Sequence, residues 1–476
     1  MHKGCVFRLT KNVSRSKLFI INERRSGSMK KDKTERTKQS WRKAQNAPSL
    51  SEVNNSVAIP KNAKFFRKLF AFMGPGALIA VGYVDPGNWA TSIAGGSEFG
   101  YTLLSVILIS NILAVLLQSL ASKLGIVTGR DLAQASSDHF SKPFGFVLWI
   151  LAELAIIATD IAEVIGSAIA LNLLFGIPLI WGVCITALDI FLVLFLQHKG
   201  FRYIEVIVIT LMVTILVCFG AEMVMSHPDM QAIAKGFIPQ SEIVTNPAML
   251  YIALGILGAT VMPHNLYLHS SIVQTRQYAR TKEGKKEAIR FSFIDSTFSL
   301  TIALLINASI LILAAAAFYT TGQHNVAGIE DAYKLLNPTL GSSIASTVFA
   351  VALLASGQNS TLTGTLAGQI VMEGFLNIRL KPVVRRLLTR VLAIVPAVII
   401  TALYGANGIN ELLIFSQVIL SMQLSFAVIP LVMFTSDKQK MGEFVNPTWL
   451  KIISWAVAIF IAVLNIYLLF YTLTSL

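Results

Sequence analysis

The sequence predicts an all-α polytopic membrane protein with eleven transmembrane helices, two related halves, and breaks in the first and sixth helices. Three observations predict it: the composition, the recurrence of long apolar runs, and the sidedness of the basic residues. Of 476 residues, 54% are hydrophobic and 13% charged. An average soluble domain carries about 25% charge. A globule this large could not cover itself with so little polar surface, which excludes most cytosolic enzymes and a disordered scaffold.

The chain opens with a basic arm. The net charge of +14 lies within residues 1–68, which hold 18 Lys+Arg and 4 Asp+Glu; the other 408 residues hold 21 of each. Residues 1–62 lack helical periodicity and read as a mostly disordered cytoplasmic arm, a topogenic tail rather than a nucleic-acid-binding segment. Lys17-Leu18-Phe19-Ile20-Ile21 is too short for a signal-peptide core. Met29-Lys30-Lys31-Asp32 is a second plausible start. The three cysteines form no CxxC, so neither a disulfide framework nor a thiolate metal site is indicated.

Residues 63–434 read as the membrane core and 435–476 as a cytoplasmic loop plus a last helix. Apolar runs long enough to span a bilayer lie near 72–95, 101–122, 144–170, 177–197, 203–225, 248–273, 293–319, 343–370, 389–405, 411–434 and 449–474. The third and fourth nearly merge around Asn172, and the eighth could end before Glu373. With the arm inside and the runs alternating, 37 basic residues fall inward and two, Lys235 and Lys334, outward. The positive-inside rule accepts that split. It implies a multi-pass protein of the plasma membrane, with a cytoplasmic N-terminus and an extracellular C-terminus.

The first run contains Gly82-Tyr83-Val84-Asp85-Pro86-Gly87-Asn88-Trp89. Proline removes a donor and glycine frees the chain, so the helix is interrupted at mid-membrane. Freed carbonyls facing lipid would each cost several kcal/mol, so the break faces a cavity, with Asp85 in it. The competing reading is a proline kink with a hydrogen-bonded carboxylate. The sixth run repeats the grammar in Gly255 to Asn265, with Met262-Pro263-His264-Asn265 at its end. An odd number of spans separates the two, so they cross in opposite senses. This is the mark of an inverted-repeat transporter with a midplane site, its halves at about 72–225 and 248–434. The breaks offer the Asp85 carboxylate, the Asn88 amide oxygen, the Met262 thioether, and carbonyls near Gly82 and Ala259. Oxygen alone would suit Mg²⁺ or Ca²⁺; the sulfur favours a transition metal. Most membrane methionines simply pack, and that alternative stands for Met262.

Asp85-Pro86-Gly87-Asn88 together with Met262-Pro263-His264-Asn265 resembles the signature pair of the Nramp divalent-metal transporters, in their bacterial MntH branch. Gly357-Gln358-Asn359-Ser360-Thr361-Leu362-Thr363-Gly364-Thr365, continuing through Gly368-Gln369, resembles that family's eighth-span motif. The similarity covers about residues 65–475. It implies the LeuT-type fold and proton-coupled uptake of Mn²⁺ and Fe²⁺, with Cd²⁺, Co²⁺ and Zn²⁺ as further ions. It also implies that Asp85, Asn88, Met262 and the backbone at Gly82 and Ala259 bind metal. By the same resemblance Gln417 approaches the ion on occlusion and Asn307 takes part in gating. The departures are the long arm and Gly82 where the family has Ala. The related magnesium transporters lack the methionine, so Met262 argues against that branch.

The third run carries Glu153, Asp160 and Glu163, whose spacings of seven and three put them near one helical face. Such acids should face protein or water. The sixth run adds His264 and His269, and histidine changes charge near physiological pH. Two readings stand: a structural ion-pair lattice with arginines such as Arg390, or a proton route from Asp85 to the cytoplasm. The resemblance supports the second.

Elsewhere the plain readings hold. Gly74-Pro75-Gly76 and Gly95-Gly96 are hinge or packing features, and there is no Walker pattern. His198, His227 and His324 sit in or near loops, and Arg276 to Arg290 reads as a solvated cytoplasmic loop. A membrane metallohydrolase would need a cluster such as HExxH, which is missing, so the chain reads as no enzyme. The remaining alternative is a same-fold symporter for Mg²⁺, Na⁺ or an amino acid. Expected partners are the divalent ion, protons and the bilayer, with no cofactor, nucleic acid or obligatory protein partner.

Overall fold

The computed structural model describes residues 48–60, 63–188, 200–324, 326, 328–340 and 344–475. They belong to one compact unit, Gln45–Leu476. Residues 1–47 of the expected arm, with Met29, and 189–199 of the expected fourth span, with His198, lie outside the described residues.

The chain is built of helices whose ends fall where proline, glycine or a capping side chain dictates. The principal helices before the second break are α1 (Phe65–Phe72), α2 (Pro75–Gly82), α3 (Pro86–Phe99), α4 (Leu104–Thr128), α5 (Leu132–His139), α6 (Lys142–Phe175), α7 (Leu179–Thr186), α8 (Phe201–Ser226) and α9 (Pro247–Thr260). After it come α10 (Pro263–Ile272), α11 (Lys282–Ala317), α12 (Ala345–Leu376), α13 (Pro382–Ser436) and α14 (Thr448–Ser475). Five of these, α2, α3, α9, α10 and α13, begin with proline at the first position, where a missing N–H costs nothing. Every residue of α2 and of α10 is buried, so the broken helices form the centre of the bundle. Helices α8 and α14 lie outside with exposed apolar faces.

Among the described residues, seven helical segments are long and apolar enough to cross a membrane, or eight if α1 and α2, bent by 46°, count as one. The third and fourth runs, which nearly merge around Asn172 in the sequence, begin as separate helices, α6 and α7. Gly176, at φ +68, ends α6 in a left-handed turn, and Asn172 Nδ2 donates to Ile177 O at 2.8 Å. The eighth run continues past Glu373 to Leu376.

The ninth and tenth runs are joined in one helical tract, the 55 residues of α13. A straight helix of that length would measure about 80 Å, far more than a ~30 Å hydrocarbon core. The tract instead reverses. Arg385 and Arg390 pair with Glu153 and Asp160 in ascending order on α6, yet Leu420 clusters with Ala155 and Ala158. Its two apolar segments are Leu387–Ile400 and Gly408–Ser436.

Two local readings need correction. Arg276 is no solvated loop residue: it is 0% exposed. It donates to Phe72 O at 2.9 Å, Met73 O at 2.8 Å and Glu205 Oε1 at 2.7 Å. The reason is the break at Gly74. It frees the last carbonyls of α1, which need donors when buried. Asp295 answers the other side of the bend, accepting from Gly76 N at 2.7 Å and Gly74 N at 3.2 Å. The described end of the arm is also folded. Leu50 is buried and its N–H donates to Glu373 Oε2 at 3.0 Å. Strand β1 (Val57–Ala58) pairs in parallel with β2 (Arg276–Gln277), just after α10.

Candidate metal centre

The first break runs from Gly82 to Pro86. Asp85 is the N-cap of α3, with extended backbone, and its Oδ1 accepts from Asn88 N and Asn88 Nδ2, each at 2.8 Å. The freed carbonyls find partners from other helices. Asn307 Nδ2 on α11 donates to Tyr83 O at 2.6 Å, Trp89 Nε1 donates to Val84 O at 3.2 Å, and Ser356 Oγ on α12 also donates to Val84 O. The second break runs from Val261 to Pro263. Met262 stands at the N-cap of α10 and cannot cap it through oxygen.

The two breaks meet. Asn88 Nδ2 donates a second hydrogen bond, to Ala259 O at 2.9 Å, joining α3 to the end of α9. Asn265 lies between Gly82 and Met262. Its Nδ2 is 3.6 Å from Met262 Sδ, and a Cβ at position 82 would come within 2.3 Å of it. A side chain at position 82 would therefore have to displace the Asn265 amide. Gln417 on α13 is wedged against both breaks: a Cβ at Gly87 would stand 1.9 Å from its Nε2, and one at Gly258 would stand 2.2 Å from its carbonyl oxygen. Met262 also packs with Ala155, Ala158 and Leu420.

Asp85, Ala259 and Met262 are each 0% exposed and Asn88 2%, so the centre is closed to both sides. Several buried oxygens around it have no hydrogen-bond partner: Asp85 Oδ2, Thr260 Oγ1, Asn265 Oδ1, Asn307 Oδ1 and Gln417 Oε1. Each would cost about 1–3 kcal/mol if left so. A cation suits such a set, since four of the five are acceptors only. The helix ends agree. The C-terminal ends of α2 and α9 turn negative dipole ends inward, while the start of α3 supports the charge on Asp85. Among the described residues no three His, Cys, Asp or Glu side chains gather as a metal cage. One carboxylate with neutral oxygens and a thioether is a site that can also let its ion go.

The α6 acids do lie on one face, turned to α12 and α13. Glu153 pairs with Arg385 Nη2 at 2.9 and 3.0 Å. Arg390 Nη1 lies 3.9 Å from Asp160 Oδ1 and 3.6 Å from Glu163 Oε2. Ser360 and Thr361 of the 357–369 motif donate to Glu163 at 3.0 and 3.1 Å. This lattice reaches the breaks through Thr159 Oγ1, 3.3 Å from His264 Nδ1. His269 belongs elsewhere. Its Nδ1 lies 3.0 Å from Gln118 Oε1 on α4, whose Nε2 donates to Tyr83 OH at 2.9 Å. Five residues turn a helix by about 140°, so the two histidines cannot serve one face. Sequence reasoning missed Gln118, Asn265, Ser356 and Arg385. Only Asn265 carried a signal, its place in the second motif.

Comparison with known proteins follows the same lines. Residues 76–471 match the family described as Nramp, natural resistance-associated macrophage protein-like. A protein of Listeria welshimeri, named a divalent metal cation transporter, MntH, is 99% identical over 448 residues, 94% of this chain and 100% of that one. A crystal structure of a manganese transporter from Eremococcus coleocola, in complex with an aromatic bis-isothiourea compound, is similar at 46% identity. Its TM-score is 0.82, over 88% of this chain and 90% of that one. The inward-facing structure of Mhp1, at 14% identity and TM-score 0.56, covers 90% of this chain and 94% of that one and shows the shared fold alone.

Proposed function

Because the chain belongs to the Nramp family, we propose that it imports divalent transition-metal ions, Mn²⁺ foremost and Fe²⁺ with it, in symport with protons. It is a multi-pass transporter of the plasma membrane and not an enzyme. The reading carries eleven crossings, a cytoplasmic N-terminus and an extracellular C-terminus. Cd²⁺, Co²⁺ and Zn²⁺ are further ions such a donor set would accept.

The observation that carries the proposal is the bridge from Asp85 through Asn88 to Ala259 O, with Met262 beside it across the second break. The two Asn88 N–H groups occupy two oxygens that a cation would take. An incoming ion replaces both, and the amide turns to offer Oδ1. Without a cation that orientation would set three acceptors against one another. The ion is then held by Asp85, Asn88, Met262 and the carbonyls of Gly82 and Ala259. Gln417 completes the shell as α13 closes.

Proton coupling follows from charge. A divalent ion arriving at Asp85 expels its proton, and the exit runs past His264 and Thr159 to Asp160, Glu163 and Glu153. Arg390 and Arg385 hold those acids in place. The membrane potential contributes about 2.3 kcal/mol per proton per 100 mV. In this reading His269 acts separately, steadying Tyr83 through Gln118. Flux into proteoliposomes tests the whole: Mn²⁺ entry should rise with an inward proton gradient and acidify the lumen, while Ca²⁺ and Mg²⁺ are passed over. Uptake indifferent to the gradient would refute the coupling.

A further inference from the structure

We propose that the groove between α4, the first turns of α11 and the start of α14 binds an anionic glycerophospholipid. Its phosphate would lie on Lys123, Lys286 and Arg290, and its chains along the apolar wall. The groove encloses about 1320 Å³. Its wall is formed by Ile112, Val115 and Leu116 of α4, Phe293 of α11, and Trp449 and Leu450 of α14.

Three features select the occupant. The first is length. Ile112 and Lys123 mark the two ends of the groove on α4, eleven residues or about 17 Å apart. That is roughly one leaflet of a ~30 Å hydrocarbon core. The second is polarity along that length. The cations of α11 sit in its first turns, at Lys286 and Arg290, and the apolar Phe293 follows. Trp449 lies at the same end, 62% exposed, where an amphipathic ring meets the membrane interface.

The third is charge. Two of the three acids at this end are already engaged: Glu287 with Lys68 at 2.8 Å and Glu443 with Lys282 at 2.6 Å. Glu283, Glu287 and Glu443 line the groove with Lys123, Lys286 and Arg290, and Lys68 and Lys282, from outside the lining, neutralise two of the acids. The excess of two positive charges matches a phosphodiester headgroup with no compensating amine. Lys123 is held in the groove by Asn446 Oδ1 at 2.8 Å, and Arg290 lies over the Phe65 ring at 5.3 Å. Basic pockets between helices at this depth are the places where anionic headgroups bind. The inference is independent of the metal reading.

Native mass spectrometry of the purified full chain tests it. The protein is offered phosphatidylglycerol and phosphatidylcholine of equal chain length, with inorganic phosphate as a third arm. Wild type should retain phosphatidylglycerol in preference. Lys286→Gln and Arg290→Gln, both exposed and away from the metal centre, should each lower that preference about fivefold. Lys235→Gln, in the short helix Met230–Gly236 and not among the groove's lining residues, should leave it unchanged. Mn²⁺ uptake reports that the variants are folded. Equal retention of the two lipids by wild type, or a preference that survives the Lys286/Arg290 double variant, would overturn the proposal. So would displacement of the lipid by inorganic phosphate, which would indicate a free-anion site.

Discussion

Replacing Met262 separates packing from ligation, because the structure gives its side chain both roles. It is fully buried against Ala155, Ala158 and Leu420, and its sulfur lies 3.6 Å from Asn265 Nδ2. Met262→Ala removes sulfur and volume together. The cavity alone should cost about 2–5 kcal/mol of stability. Met262→Leu removes the sulfur but nearly keeps the volume, at under about 1.5 kcal/mol. If the thioether is a ligand, both variants should bind Cd²⁺ about 5–30-fold more weakly, equivalent to about 1–2 kcal/mol for one soft contact. Mn²⁺ transport should persist in both, because Mn²⁺ prefers oxygen. Ca²⁺ should begin to compete, since water can replace the sulfur and the penalty against hard ions is gone. Calorimetric titration of Cd²⁺ and Mn²⁺ uptake against rising Ca²⁺ measure these effects. A leucine variant with wild-type Cd²⁺ affinity and no Ca²⁺ competition, beside a merely unstable alanine variant, would return Met262 to packing alone.

Asp85→Asn should abolish Mn²⁺ flux and metal-driven acidification together, measured in the same proteoliposomes; normal uptake would displace the site. Asp160→Asn and Glu163→Gln should reduce acidification more than Mn²⁺ binding, because their contacts are to Arg390, Ser360 and Thr361 and not to the breaks. A chain begun at Met29 should transport normally, whereas Leu50→Ala should lower the melting temperature, at about 2–3 kcal/mol for a buried leucine. Asp131, at the N-cap of α5 between α4 and α6, is pushed up to about 6 by burial, against the hydrogen bonds that it accepts. An acid whose folded pKa exceeds its unfolded value favours folding fully below pH ~4, and that contribution is lost as pH rises through about 6. Asp131→Asn keeps a capping oxygen, so it should stabilise the protein at pH 7–8 and not at pH 4; a gain equal at both would refute the assignment.

Much of this protein was legible in its sequence, for physical reasons that act locally. Long apolar runs must be helices in a bilayer, because no other open structure satisfies their backbone. Pro86 and Pro263, set among glycine and polar residues, interrupt their helices, whereas Pro396 and Pro430 in apolar surroundings lie inside α13. Asp85 and Met262 therefore stand at helix starts without any tertiary information. Spacing also placed Glu153, Asp160 and Glu163 on one face.

Which partner each group meets was decided only by tertiary structure. Arg276 looked like loop because its neighbours in sequence are polar; it is buried because α1 ends 204 residues earlier with carbonyls that need it. His264 and His269 stand in the same run, and α6 engages the first while α4 engages the second. The Asn88 bridge to Ala259 O spans 171 residues, and Gln417 touches Gly87 from still farther. Local sequence determines where a helix must stop, since the cost of a missing donor is paid within one turn. It does not determine which distant helix supplies the replacement, because that depends on how the buried faces pack.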